Sequence, residues 1–524
     1  MRRARGPALR NDRRRIDRRL LISRLTRTCR PTCSPGSPVV VGPAAVLAET
    51  CPAHGSPCAP PGASPGRIAR LAALLERFFV THRRQLSWVH AGMFVVFLLV
   101  IGGPLLLPDP PGDATPWNNL RVGASYALWG LWFPLVFLSV IFAGRAWCGV
   151  LCPMGAAAEW ANGVGLRRPI PAWLRWEGTP LVSFIVITLL GQTTGVRDHP
   201  EAAAEIFGGT MLMAIVIGFL YGRRKRAWCR HMCPIGRVLG LYARLGAVEF
   251  APKTRLPGPE AYTEKGVCPT MIDLPHKAES RHCISCFRCV NPDARGGVSL
   301  RLRRPGEEIE AIRDHHPNPT EVWFLFLDTG VALGGFLWLV LPAYQDARQA
   351  FGEWAIEHGW AWITAIGPSW LMSVHPDRGE TFMWLDFLMI NGFMIGCMIA
   401  LTVVLAATTA AAAVLARQVG ARGSFAARFA ELGYQYAPIA LISLVIGLGA
   451  ELFEPLRRTA FGIEGVHITK GILFLLGFAW SVWLADRVLV RQGVAAGRRW
   501  LPLLPGILGS LATGLAWWPA IFGL

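Results

Sequence analysis

Runs of about twenty apolar residues leave a chain few choices. A bilayer core about 30 Å thick is crossed by roughly that length of α-helix, and lipid satisfies no open backbone group. Nine runs meet or approach this length: Trp88–Leu107, Val122–Ala143, Leu181–Gly195 with its flanks, Ile206–Gly222, Val322–Leu341, Phe382–Ala407, Tyr434–Phe453, Ile468–Ala485 and Leu501–Phe522. The third and fourth are short enough to tilt or to be partly re-entrant, and the last fits an interfacial position as well as a crossing. The expected fold class is mainly α: a polytopic α-helical membrane protein of about nine transmembrane helices. Composition agrees, with 52% apolar and only 17% charged residues, where soluble domains carry nearer a quarter charged.

The formal charge of +19 is local in origin. Residues 1–30 hold 12 Arg against Asp12 and Asp17. Residues 1–66, rich in Arg, Pro, Gly and Ser, have no hydrophobic period and read as a basic disordered tail. Arg18-Arg19 is followed only by Leu20-Leu21-Ile22, too little for a secretory h-region. No nucleotide-binding loop, no Ser/His/Asp order and no basic–aromatic face for nucleic acid is present. Basic residues recur instead after alternate spans: Arg145, Arg167, Arg168 and Arg175; Arg223 to Arg226; Arg417, Arg422 and Arg428; Arg487, Arg491, Arg498 and Arg499. By the positive-inside rule this places the N-terminus and all the grouped cysteines in the cytoplasm of a bacterial inner-membrane protein.

Eight of the 13 cysteines are grouped. Residues 145–155 read Arg-Ala-Trp-Cys-Gly-Val-Leu-Cys-Pro-Met-Gly, and 226–236 read Arg-Ala-Trp-Cys-Arg-His-Met-Cys-Pro-Ile-Gly. This duplicated turn follows a span each time. Such repeats often carry a site at their interface. Proline suits the first helical position, so Cys152 and Cys233 are expected at helix N-termini, where the dipole favours thiolate. Cys148, Cys152, Cys229 and Cys233 together match the four thiolates of one cubane cluster. Two other readings stay open: a pair of redox dithiols, and packing corners helped by Trp147 and Trp228.

A polar segment, 245–318, separates the fourth and fifth spans. It holds Cys268-Pro269, then Cys283-Ile-Ser-Cys286-Phe-Arg-Cys289. C-x2-C-x2-C with a distant Cys-Pro is the ligand pattern of one [4Fe–4S] cluster. Zinc ribbons instead use two separated C-x2-C knuckles. A second cluster is not expected within the insert, because Asn291-Pro292 stands where another cysteine would follow. The domains are then a tail (1–66), a four-span membrane domain (67–244), a ferredoxin-like insert (245–318) and a C-terminal membrane domain of about five spans (319–524).

The paired turns followed by a ferredoxin loop resemble the polytopic iron–sulfur membrane proteins of the NapH, NosR and CcoG types, over about residues 85–300. The resemblance implies electron transfer from a quinol or cytoplasmic donor towards a periplasmic or membrane acceptor such as a reductase, cytochrome or cupredoxin, with quinone a further ligand. It implies an electron carrier, or a quinol dehydrogenase or metal-reductase subunit. The chain departs from the family in its single ferredoxin cluster, the lack of a flavin-bearing periplasmic domain, and the spans after 320. A polyferredoxin-like component of ferrous-iron uptake is similar in outline. This leaves a redox component of iron or copper handling, beside a metal permease, as an alternative function, and a non-redox metal-binding assembly factor as a second one. Charged or polar residues within the later runs (Asp328, Asp386, Asn391, Glu451, Glu454, His467, Lys470) are candidates for quinone, proton or metal roles. His90 and His467 are the sole in-span histidines suited to a haem, which is not expected.

Overall fold

The protein is described here from a computed structural model, which covers residues 66–223, 225–253, 267–292 and 297–522. The expected tail up to residue 65, with Cys29, Cys33, Cys51 and Cys58, lies outside the described residues, as do Leu524 and part of the insert.

The helices that place the site are α1 (Arg67–Thr81), α2 (Leu86–Gly102), α3 (Leu120–Ala143), α4 (Pro153–Val164), α5 (Thr179–Thr193), α6 (Pro200–Leu220) and α7 (Pro234–Tyr242). After the insert come α8 (Pro319–Val340), α9 (Pro342–Glu357), α10 (Trp384–Gln418), α11 (Phe425–Leu448), α12 (Gly462–Arg491) and α13 (Trp500–Phe522). Among the described residues, eight of these (α2, α3, α6, α8 and α10–α13) are long and apolar enough to cross a membrane. The protein is a polytopic helical membrane protein. The third expected span is the 15-residue helix α5, which rises only about 22 Å. Pro180 near its start and Gly195 just beyond its end bound it.

Local chemistry sets several boundaries. The Asn119 side chain caps α3 by accepting from the Arg121 and Val122 amides. Asn318 caps α8 through the Thr320 amide, with Pro319 in the first turn. Ser424 caps α11 nine residues earlier than the apolar run alone suggests. Within α3, Tyr126–Trp132 winds as a π-helical stretch. That wider turn sends Leu128, Trp129 and Trp132 into a cavity described below.

In the N-terminal half, α4 packs on α6 and α2, and α7 on α5; α3 and α11 join the halves. In the C-terminal half, α8 and α11 lie at the centre with α10, α12 and α13 around them. The insert is small. Strand β1 (Val248–Pro252) pairs antiparallel with β2 (Val298–Leu302), Phe250 opposite Leu300, and the cysteine loop lies between them. Helix α1 closes this hairpin. The Glu76 carboxylate accepts from the Leu300 amide at 2.8 Å, and Phe79 stacks on Phe287 with centroids 4.1 Å apart. So α1 packs with the insert rather than with the four-span region that follows it in sequence.

A buried ion network ties the insert to α8 and α11. Arg244, fully buried, donates to Glu308 at 2.9 Å and to Glu321 at 2.9 Å. Arg303 holds the other Glu308 oxygen at 2.8 Å, and Tyr434 donates to Glu321. Burial works against charge on Glu308, yet the Arg303 and Arg244 guanidiniums hold its carboxyl down at about 2.

Candidate metal centre

The two turns form a crossed pair. Cys152 and Cys233 are the N-cap residues of α4 and α7: each sulfur accepts a backbone N–H, from Gly155 at 3.4 Å and from Gly236 at 3.3 Å. Pro153 and Pro234 occupy the first helical positions, where no N–H is lost. The arginine opening each repeat crosses to the other one. Arg226 Nη1 donates to the Cys148 carbonyl at 2.9 Å. A Cβ added at Gly155 would meet that same Nη1 at 3.1 Å and the Cys229 sulfur at 3.3 Å. In mirror fashion, a Cβ at Gly236 would meet Arg145 Nη2 at 3.2 Å and the Cys229 carbonyl at 3.1 Å. Each C-P-x-G glycine thus sits where an added Cβ would be tightly packed against an arginine and a cysteine. Cys148, Cys152, Cys229 and Cys233 are brought together, near enough to act on one another electrostatically.

The setting is dry. Burial pushes the Cys152 thiol up to about 11 and Cys229 to about 12, and raises Cys233, with neighbouring thiols adding to each shift. Several fully buried donors, Arg145 Nε and Nη2, Arg226 Nη2 and Trp228 Nε1, find no oxygen or nitrogen acceptor among the described residues. Two buried sulfurs, Cys148 and Cys229, and two half-buried ones, Cys152 and Cys233, beside such N–H donors fit an anionic thiolate–metal cluster. Its cationic iron would displace the thiol protons, and its sulfurs would accept from the donors. Among the described residues, no three Cys, His, Asp or Glu side chains are grouped so as to hold a single metal ion.

The insert loop is built differently. Ser285 and Phe287 adopt left-handed φ of 51° and 58°, so that the loop curls and its amides turn inward as an anion-binding nest. The Ser285 amide donates to Cys283 and the Arg288 amide to Cys286. Cys268, Cys283, Cys286 and Cys289 line one small apolar pocket with Phe250, Ile284 and Phe287. Burial raises Cys283 and Cys289, and takes Cys286 to about 11.

The two cysteine groups touch. A Cβ at Gly149, next to Cys148, would stand 2.1 Å from the Ile284 carbonyl oxygen and 2.9 Å from the Cys286 amide. With consecutive Cα atoms 3.8 Å apart, Cys148 and Cys286 lie on the order of 8 Å apart at Cα. Polar bonds fix the contact. Glu159 of α4 takes Arg226 Nε at 2.8 Å and Arg288 Nη1 and Nη2 at 2.5 and 2.8 Å. Burial disfavours that carboxylate, but the Arg226 and Arg288 cations hold it at about 2. Arg145 Nη1 donates to the Arg281 carbonyl at 2.7 Å, and the Arg226 amide to the Pro269 carbonyl at 2.8 Å.

On the other side of the paired turns an apolar cavity runs between α3, α5 and α6. Cys148, Cys152 and Cys233 lie in its wall with Trp129, Trp132 and Phe207, and Gln192 and Arg197 supply polar groups. Arg197 donates to the Gly447 and Leu448 carbonyls at 2.8 and 2.7 Å, anchoring the cavity to the end of α11.

Other residues named from sequence fall elsewhere. His90 bonds the Gly149 carbonyl at 3.2 Å. Asp386 caps α10 through the Met383 amide and pairs with Arg348 at 2.6 Å. Asp328 is fully buried, taking the Tyr242 hydroxyl at 3.0 Å. His231 is half-buried beside Arg230; burial and that cation hold its imidazole neutral, at about 4. Glu159 and Arg288 were not singled out from the sequence. Their one signal was an acid on the otherwise uncharged helix α4 and a cation set between two cysteines.

A helical membrane protein built on a duplicated cysteine turn is the class this fold and site define. Residues 127–171 and again 206–251 match the family described as "4Fe-4S binding domain". Both matches fall on the paired turns rather than on the cysteine loop of the insert. It is similar to the methylamine utilization ferredoxin-type protein MauN of Methylorubrum extorquens, 28% identical over 36% of this chain and 67% of that one. It is also similar to the ferredoxin-type protein NapH of Escherichia coli, 25% identical over 39% of this chain and 77% of that one. Protein NirI of Paracoccus denitrificans is 27% identical over 29% of this chain and 26% of its own. No solved structure matches.

Proposed function

We propose that this protein is an iron–sulfur electron carrier of the bacterial inner membrane with two [4Fe–4S] clusters. Cys268, Cys283, Cys286 and Cys289 hold one, and Cys148, Cys152, Cys229 and Cys233 the other. The observation that carries this reading is the contact at Gly149, which sets the two cysteine groups against each other. Bound clusters supply one-electron storage; the protein's part is to hold them adjacent, keep water out and aim N–H donors at them. Basic loops after alternate spans support a cytoplasmic location for both groups.

The apolar cavity beside Cys148, Cys152 and Cys233 favours a membrane-soluble quinol over a cytoplasmic donor. Its aromatic walls suit a ring, and Arg197 and Gln192 offer donors to ring oxygens. Relatives named as ferredoxin-type support the redox role, and a periplasmic or membrane partner accepts the electrons. The test is iron and acid-labile sulfide on anaerobically purified protein. The parent should hold about eight irons. Cys148→Ser plus Cys229→Ser, and separately Cys283→Ser plus Cys286→Ser, should each lose about half. Unchanged iron in the first double variant removes the paired-turn cluster. Zinc as the only metal, with no EPR signal on dithionite reduction, overturns the whole reading.

A further inference from the structure

Resting on the reading of the paired turns as a cluster site, we infer that Arg145 and Arg226 set the reduction potential of that cluster, and that Glu159 trims the effect of Arg226. Each repeat opens with an arginine, and each arginine lies beside cysteines of both repeats: Arg145 beside Cys148, Cys229 and Cys233, Arg226 beside Cys229 and Cys152. Arg145 is 2% exposed and Arg226 is 0% exposed. Neither is spent on structure alone. Arg145 uses Nη1 on the Arg281 carbonyl and reaches the Cys148 sulfur, while Nε and Nη2 find no oxygen or nitrogen acceptor among the described residues. Arg226 uses Nε on Glu159 and Nη1 on the Cys148 carbonyl, leaving Nη2 without one. A buried guanidinium N–H left without an acceptor is unfavourable, because it has lost water and gained nothing in return. Cluster sulfur is the acceptor that removes the cost here, because these N–H groups sit beside Cys148, Cys229 and Cys233.

The sign follows from charge. Reduction adds one negative charge to the cluster, in a medium where like and unlike charges interact strongly. Two buried cations that cannot deprotonate favour the reduced form. Hydrogen bonds to the sulfurs act in the same direction. The repeats differ in one respect. No carboxylate bonds Arg145, whereas Arg226 shares Glu159 with Arg288. Arg145 therefore presents more net charge, and neutralising Glu159 should free charge at Arg226.

The experiment is an anaerobic EPR-monitored redox titration of the full-length protein in detergent. The paired-turn signal is identified as the one lost in Cys148→Ser plus Cys229→Ser. Arg145→Gln should lower its midpoint by at least about 59 mV, a tenfold change for one electron. Arg226→Gln should lower it by less, Arg145→Lys should hold most of the parent value, and Glu159→Gln should raise it. Midpoints unmoved in both Arg145→Gln and Arg226→Gln, or a fall in Glu159→Gln, overturn the inference. If Arg145→Gln fails to retain iron, the direction of the Glu159→Gln shift decides alone. Should the double cysteine variant keep all its iron, the cluster assignment beneath this inference has failed instead, and the two failures are told apart by iron content.

Discussion

Gly149→Ala tests the contact between the two cysteine groups directly. A Cβ at this position would stand 2.1 Å from the Ile284 carbonyl oxygen, 2.9 Å from Cys286 N and 3.0 Å from Cys286 Cα. Carbon and oxygen tolerate an approach of about 3.3 Å, so the two backbones must part by about 1.2 Å. All three opposing atoms are main chain, and no side chain can swing aside. The separation strains the bonds from Arg145 to the Arg281 carbonyl and from the Arg226 amide to the Pro269 carbonyl, each worth about 1 kcal/mol. Overpacking adds roughly 1–3 kcal/mol. Seating of the insert should weaken by about 2–4 kcal/mol, raising hydrogen exchange of the 283–289 amides at least about thirtyfold. Gly163→Ala is the control: it lies in α4, the helix that follows the turn, with nothing within 4 Å of an added Cβ. That change should be neutral or stabilising by about 0.5–1 kcal/mol. Equal protection in the two variants would refute the claim that Gly149 is where the insert meets the paired turn.

Arg244→Met should be far more damaging than a surface change, by about 3–5 kcal/mol, because it takes the close cation from the buried Glu321 and leaves Glu308 with Arg303 alone; thermal unfolding in detergent reads this. Acid should loosen the insert in a defined window. Glu159 and Glu308 both sit at about 2, below the unfolded value of about 4.3, so their stabilisation is complete above that value and fades as pH falls towards 2. It amounts to about 3 kcal/mol for Glu308 and less for the more exposed Glu159; hydrogen exchange of the insert from pH 6 down to 3 should show onset below about 4.5, and Glu159→Gln should flatten part of it. Tyr242→Phe removes the hydrogen bond to Asp328 and should cost about 1–3 kcal/mol, since it leaves a buried carboxyl without its donor; unchanged unfolding would mean that Asp328 finds another partner.

What the sequence revealed, and what it hid, separates by the range of the interaction. The spans were legible because lipid imposes a length and an apolar composition that twenty consecutive residues report by themselves. The exceptions have local causes: α5 is cut short, and α9 carries the polar residues Gln345, Asp346, Arg348 and Gln349, so no apolar run announces it. The N-cap positions of Cys152 and Cys233 were readable from one following proline apiece. Helix α1 was not placed, because its partner is the edge of β2, more than 200 residues away, where Glu76 meets the Leu300 amide. The contact between the cysteine groups was equally hidden. In sequence Gly149 is merely a residue between two cysteines, and only the fold sets Ile284 and Cys286 against its missing side chain.

The repeat itself carried more than its cysteines. Residues 145–155 and 226–236 share Arg, Ala, Trp, both Cys, Pro and Gly, and the structure gives most of these a role across the duplicated pair rather than within one copy. Each glycine makes room for the opposite arginine, each arginine reaches the opposite cysteines, and each proline starts the helix whose amide caps a sulfur. The middle positions, Gly149-Val150-Leu151 against Arg230-His231-Met232, differ completely, and the two copies meet different parts of the insert: the 283–289 loop lies on Gly149, while the second copy meets the segment around Pro269 and Arg281 through the Arg226 amide and Gly240. A side chain at 149 would push the ferredoxin-like loop away. The asymmetry within a symmetric motif thus follows the docking, with the first turn facing the Cys283–Cys289 loop.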